Sequence, residues 1–88
     1  MYSKKITIVN PTGLHARPAS QVCSKAADYS SEIKLQRVGE EDLYDVKSII
    51  NLLVLGLSQG EEAILSAEGA DEIAAVDELA ELIASFDE

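Results

Sequence analysis

The stretch "ITIVNPTGLHARPASQVCSKAA", residues 6–27, changes its apolar period halfway along, and that change decides the fold. Ile6 and Ile8 face one way while Lys5, Thr7 and Val9 face the other, which predicts a strand over Lys4–Val9. Asn10, Pro11, Thr12 and Gly13 carry turn chemistry. From Ala16 the spacing becomes three and four: Ala16, Ala19, Val22, Cys23, Ala26 and Ala27 predict a helix whose apolar face is built of small side chains. Such a helix can lie close to its support.

Asp28, Ser30 and Ser31 end that helix, and Glu32–Val38 alternates again with Ile33 and Leu35 inward. A polar turn, Gly39–Asp42, leads into a short strand over Leu43–Val46, so the two strands form a hairpin. Ser48 suits an N-cap and Gly56 a stop, which predicts a short helix over Ser48–Leu55. After Ser58, Gln59 and Gly60, the strand Glu62–Glu68 sets Ala63, Leu65 and Ala67 against Ile64 and Ser66. In "ADEIAAVDELAELIASFDE", residues 70–88, an apolar stripe of Ile73, Val76, Leu79, Ala80 and Ile83 predicts a last helix, with Asp71 and Glu72 at its positive end. The order βαββαβα, with alternation in every strand, implies a four-stranded antiparallel sheet with all three helices on one face. This is an open-faced α+β sandwich, and residues 1–88 make one domain.

Composition excludes several functions. A net charge of −9 repels nucleic acid, and no basic run with interleaved aromatics offsets it. The longest apolar run, Ile49–Leu57, is broken by Asn51 and Gly56 and falls short of the ~20 residues of a membrane span. The start lacks the apolar core of a signal peptide, and the single cysteine fits a cytoplasmic, disulfide-free chain. Cys23 reads as a small buried hydrophobe with no base to activate it; one His and one Cys cannot assemble a metal site, and no cofactor is called for.

The chemistry concentrates at "GLHARPAS", residues 13–20, which holds the only histidine. With His15 as N-cap, Ala16, Arg17 and Pro18 become the first helical residues, and Pro18 costs no hydrogen bond there. The backbone N–H groups of Ala16 and Arg17, together with the helix dipole, then favour an anion beside the imidazole, and the Arg17 guanidinium suits phosphate oxygens. The competing plain reading makes His15 a surface turn residue and Arg17 a solvated charge. Three concordant features favour a phosphorylated histidine, since imidazole is an adequate nucleophile near neutral pH. A hydrolase with His15 as general base lacks both a nucleophile and a residue to orient the ring.

Gly13–Ala19 resembles the phosphorylation motif of the histidine-containing phosphocarrier (HPr) family of the bacterial sugar phosphotransferase system, and "SEIKL", "VKSIINLLVLGLSQG" and "ILSAEGADE" extend the likeness along nearly the whole chain. The resemblance implies that His15 accepts a phosphoryl group on Nδ1 from phospho-enzyme I and passes it to the IIA domains of sugar transporters, with Arg17 stabilising the phosphate. It also implies that Ser48 is a regulatory target of a serine kinase and phosphorylase, although Ser48 explains itself as a cap and Asn51 stands where kinase-regulated relatives commonly have glycine. Ile49, Ile50 and Leu53 or Val54 would form an apolar docking patch edged by Arg17, Lys25 and Lys47. A carrier that docks two partners through one face is expected to be a monomer. The alternatives are the family's nitrogen-related paralogue and a regulatory binding module acting through Ser48.

Overall fold

Alternation draws the four strands into one antiparallel sheet in the order β1-β4-β2-β3. The computed structural model describes residues 1–87; Glu88 lies outside them. Its elements are β1 (Tyr2–Thr7), α1 (Ala16–Ala26), β2 (Glu32–Arg37), β3 (Tyr44–Asp45), α2 (Ile49–Leu55), β4 (Glu62–Glu68) and α3 (Glu72–Ala84). The last strand in the chain is therefore a central one, with Leu65 opposite Lys4 on one side and Leu35 on the other. Ile6, Ile33, Leu35, Ala63, Leu65 and Ala67 are buried under the helices, while Ser3, Lys5, Lys34 and Ser66 stand on the opposite face. The expected architecture is the observed one. Among the described residues no helix is long and apolar enough to cross a membrane.

Several boundaries differ from those the sequence predicts, each for a local reason. β1 starts at Tyr2, because Tyr2 finds a partner in Ala67, and it ends at Thr7 rather than Val9. Ile8 still exchanges bonds with the turn before β4, its N–H reaching the Glu61 carbonyl at 2.9 Å and its carbonyl receiving the Gly60 N–H at 2.8 Å. β3 shrinks to two residues. Asp45 closes a turn, its carboxylate accepting the Lys47 N–H at 3.0 Å and its carbonyl the Ser48 N–H at 3.1 Å, and Leu43 stays exposed.

The buried face of α1 is Pro18, Ala19, Val22 and Ala26, with Cys23 half-buried; Ala16 and Ala27, expected in the stripe, are exposed. On α3 the buried face is Ala75, Val76, Leu79 and Ile83. At about 100° per residue, Ile73 falls roughly 100° from the middle of that face, and it is accordingly exposed. Asp71 is the α3 N-cap but does not cap the helix with its side chain. Its carboxylate instead accepts the backbone N–H groups of Ser30 and Ser31 at 2.9 and 3.0 Å and the Ser31 hydroxyl, tying α3 to the entry of β2. The Ser31 hydroxyl, then the Ser30 N–H, hold the Asp71 carboxyl down at about 2.

Candidate functional site

The site begins with a glycine at which any side chain would be strained. Gly13 lies at φ +69°, and a Cβ there would run into the Leu57 carbonyl oxygen and stand 3.0 Å from Ser58 Cα. Asn10 holds this turn from both directions: its carbonyl accepts the Gly13 N–H at 3.1 Å, and its amide Nδ2 donates to the Gly13 carbonyl at 2.8 Å. Leu14 is fully buried, and its N–H donates to the Leu57 carbonyl at 2.8 Å. The chain entering α1 is thus pressed against the chain leaving α2.

His15 follows as the N-cap of α1, with extended backbone (φ −124°, ψ 165°) and an exposed side chain that makes no cap hydrogen bond. The imidazole is left available for chemistry. Its Cε1 lies 3.4 Å from where a Cβ on Gly56 would stand. Gly56, left-handed at φ 58° and ψ 50°, ends α2 with its N–H on the Leu52 carbonyl at 3.0 Å, so the ring edge rests over the C-terminal cap of the second helix. Ala16 turns the extended chain into α1 at φ 47°, an unusual place for a side chain, costing on the order of 1 kcal/mol. Arg17, exposed, and Pro18, buried, complete the first turn. By helix geometry the N–H groups of such a turn have no acceptor within the helix, and they carry the positive end of its dipole.

Beside the ring lies an apolar ledge. Leu52 and Leu55 are buried and hold α2 down, which turns Ile49, Ile50, Leu53 and Val54 outward. Neither isoleucine is buried; Ile50 and Val54 are the most exposed of the four, at 70% and 69%. Ser48 caps α2 as expected, its Oγ accepting the Asn51 N–H at 3.3 Å. The two lysines expected at the rim have partners of their own. Lys25 points towards α3, its Nζ 4.0 Å from a Glu78 carboxylate oxygen and 6.0 Å from the Tyr29 ring centre. Lys47 Nζ donates to the Tyr29 carbonyl at 2.6 Å, beyond the end of α1. Cys23 Sγ donates to the Lys47 carbonyl at 3.2 Å and is half-buried rather than buried.

Sequence reasoning located the histidine and its helix start but missed the wall behind the ring. Gly56 reads as a helix stop, and only the tertiary approach of residues 13–15 to 56–58 shows that it also forms a surface under an imidazole.

The family model described as "PTS HPr component phosphorylation site" matches residues 2–85. The phosphocarrier protein HPr of Borreliella burgdorferi is 46% identical over 88 residues, all of both chains, and that of Lysinibacillus sphaericus is 40% identical over 83 residues, covering 94% of this chain and 92% of its own. The crystal structure of HPr-C-His from Thermoanaerobacter tengcongensis superposes with a TM-score of 0.90 at 42% identity, covering 97% of this chain and 93% of its own. The chain belongs to the HPr family of phosphocarrier proteins of the bacterial phosphotransferase system.

Proposed function

We propose that His15 is the phosphoryl acceptor, taking the group on Nδ1 from phospho-enzyme I, itself charged by phosphoenolpyruvate, and passing it to the IIA domains of sugar transporters. The observation that carries this reading is the placement of His15: an N-cap whose side chain is not engaged in capping, resting over Gly56 beside an exposed apolar ledge. The imidazole lone pair forms the new N–P bond as the donor's bond to phosphorus breaks, and the electron pair of that bond stays with the donor, so no co-reactant is consumed. In this reading the α1 N-terminal N–H groups of Ala16 and Arg17 and the Arg17 guanidinium stabilise the incoming negative charge, as a helix start and a planar cation are suited to do. This is positioning and charge stabilisation, the two things phosphoryl transfer asks of a protein. The chain acts as a carrier with a phosphohistidine intermediate rather than as an enzyme, works in the cytoplasm as a monomer, and offers both partners the same face formed by Ile49, Ile50, Leu53 and Val54.

Ser48 gives a second, regulatory reading. It stands immediately before Ile49, so a phosphate placed there by a serine kinase would add up to two negative charges at the edge of the docking ledge.

The test is incubation with phosphoenolpyruvate and a sugar-system enzyme I, followed by intact mass and phosphorus NMR. An acid-labile phosphate that disappears in His15→Ala is the expected result. A wild-type chain that takes up no phosphate overturns the assignment.

A further inference from the structure

Resting on that reading, we propose that Arg37, remote from the histidine in sequence and placed on the sheet, is a positioning residue for phosphoryl exchange at His15, acting as a brace across the segment that forms the wall under the imidazole.

Three nitrogens of one guanidinium grip three places. Nη2 donates to the Leu55 carbonyl at 2.7 Å, Nε to the Glu61 carboxylate at 2.8 Å and Nη1 to the Glu40 carboxylate at 3.2 Å. Leu55 is the last residue of α2, so its carbonyl is one of those a helix end leaves without an intrahelical partner. Gly56, the wall, comes next. Glu61 closes the same excursion, with its backbone bonded to Ile8 and Ser58 at 2.9 and 3.0 Å. Arg37 therefore ties together both ends of residues 55–61, and between those ends lie Leu57 and Ser58, against which Gly13 packs, with the Leu14 N–H bonded to the Leu57 carbonyl.

The brace has a rigid mount. Arg37 is the last residue of β2, opposite Ala63 of the central strand, and its side chain retains only 25% of its exposure. A planar fork with fixed donors holds a carbonyl and a carboxylate at a set separation, which an ammonium on a flexible stem does not do. Without it, the C-terminal end of α2 keeps the Gly56 N–H bond to Leu52 and the burial of Leu55 but loses the hydrogen bond that joins its last carbonyl to the sheet. The surface under the His15 ring then shifts relative to α1. The docking ledge, one to six residues earlier on α2, stays anchored through buried Leu52.

The test compares Arg37→Met and Arg37→Lys with Tyr2→Phe, which removes a hydroxyl bonded to Asp77 at 2.9 Å and serves as a stability control outside the site. All are assayed well below their melting temperatures for enzyme I-dependent phosphorylation. The expected result is a fall of about tenfold in kcat for both Arg37 variants, the size of defect that small misplacements of reacting groups produce, with KM changed less than twofold. Wild-type values are expected in Tyr2→Phe. The Gly56 amide and the His15 Cε1–H should shift in the NMR spectra of both Arg37 variants and not in the control. Should Arg37→Met fail to fold, Arg37→Lys, which keeps the charge and loses the fork, carries the test. Wild-type kcat in the folded Arg37 variants, or an equal loss in Tyr2→Phe, overturns the brace while leaving the carrier intact. An unlabelled wild type would overturn the carrier reading itself.

Discussion

Replacing Gly13 with alanine separates two costs that a glycine normally hides. The first is conformational: φ is +69°, where a side chain costs about 1–2 kcal/mol. The second is steric, because the new Cβ would collide with the Leu57 carbonyl oxygen and crowd Ser58 Cα at 3.0 Å. Both are backbone atoms that cannot rotate away, and overpacking of this kind costs about 1–3 kcal/mol more. Gly60 supplies the reference, since it too has a positive φ, 90°, but beyond its own chain neighbours no heavy atom lies within 4 Å of its would-be Cβ. Gly60→Ala should therefore lose about 1–2 kcal/mol and Gly13→Ala about 2–5 kcal/mol. The larger figure is a serious fraction of the roughly 5–15 kcal/mol that holds a domain together. Urea denaturation of both variants, with m unchanged, measures the difference directly. Where both remain folded, phosphoryl acceptance should slow in Gly13→Ala alone, because relief of the clash displaces residues 57–58 and with them Gly56. Equal destabilisation of the two variants would refute the close approach on which the site's geometry rests.

Other substitutions probe the remaining parts. Ile50→Asp, at a site 70% exposed, should leave stability within about 0.5 kcal/mol while raising the KM for enzyme I about tenfold, equivalent to about 1.4 kcal/mol of docking; steady-state phosphorylation at varied enzyme I separates the two. Ser48→Ala removes the acceptor for the Asn51 N–H and should cost about 1 kcal/mol in a denaturant melt, with the labelling of His15 unchanged. Asp71 is held down to about 2 from its ordinary 3.8, so its contribution is present above the ordinary value and is lost as pH falls towards 2. Asp71→Asn should accordingly be less stable than wild type at neutral pH, with the gap closing between pH 4 and 2 in acid titrations followed by circular dichroism. Burial and then the Glu78 carboxylate push the Tyr29 hydroxyl up to about 12, so wild-type stability should decline as pH rises from 10 through 12, and Tyr29→Phe should blunt that decline.

How much of this could be seen in the sequence follows from the range of the forces involved. The shift from alternation at Ile6 and Ile8 to helical spacing at Ala19, Val22 and Ala26 is local, and it placed every element in order. Ser48 and Gly56, whose capping roles depend on their own backbone, behaved as residue type predicts. β3 ended early because an Asp45 side chain closed a turn, a competition between side-chain and ladder bonds that no periodicity records. Ile73 belongs to an apolar run yet points away, since the direction of the sheet picks Ala75 and Val76 instead. Charge alone suggests Lys25 and Lys47 for the rim but not the partners their flexible stems reach, Glu78 and the Tyr29 carbonyl. The wall at Gly56 and the grip of Arg37 were invisible for a different reason: each joins segments distant in the chain, and only the closed sheet brings them together.

That closure spreads the surroundings of one histidine over most of the chain. The motif around His15 is translated early, but the surface beneath it comes from residues 55–58, and those are held in place by Glu61 and by a strand that must insert between β1 and β2. A chain that ends before residue 62 contains the histidine, the arginine and the proline of the motif but not β4, the strand that pairs with both β1 and β2. Removing β4 would therefore leave the motif whole in sequence while taking away the strand that joins β1 to the rest of the sheet.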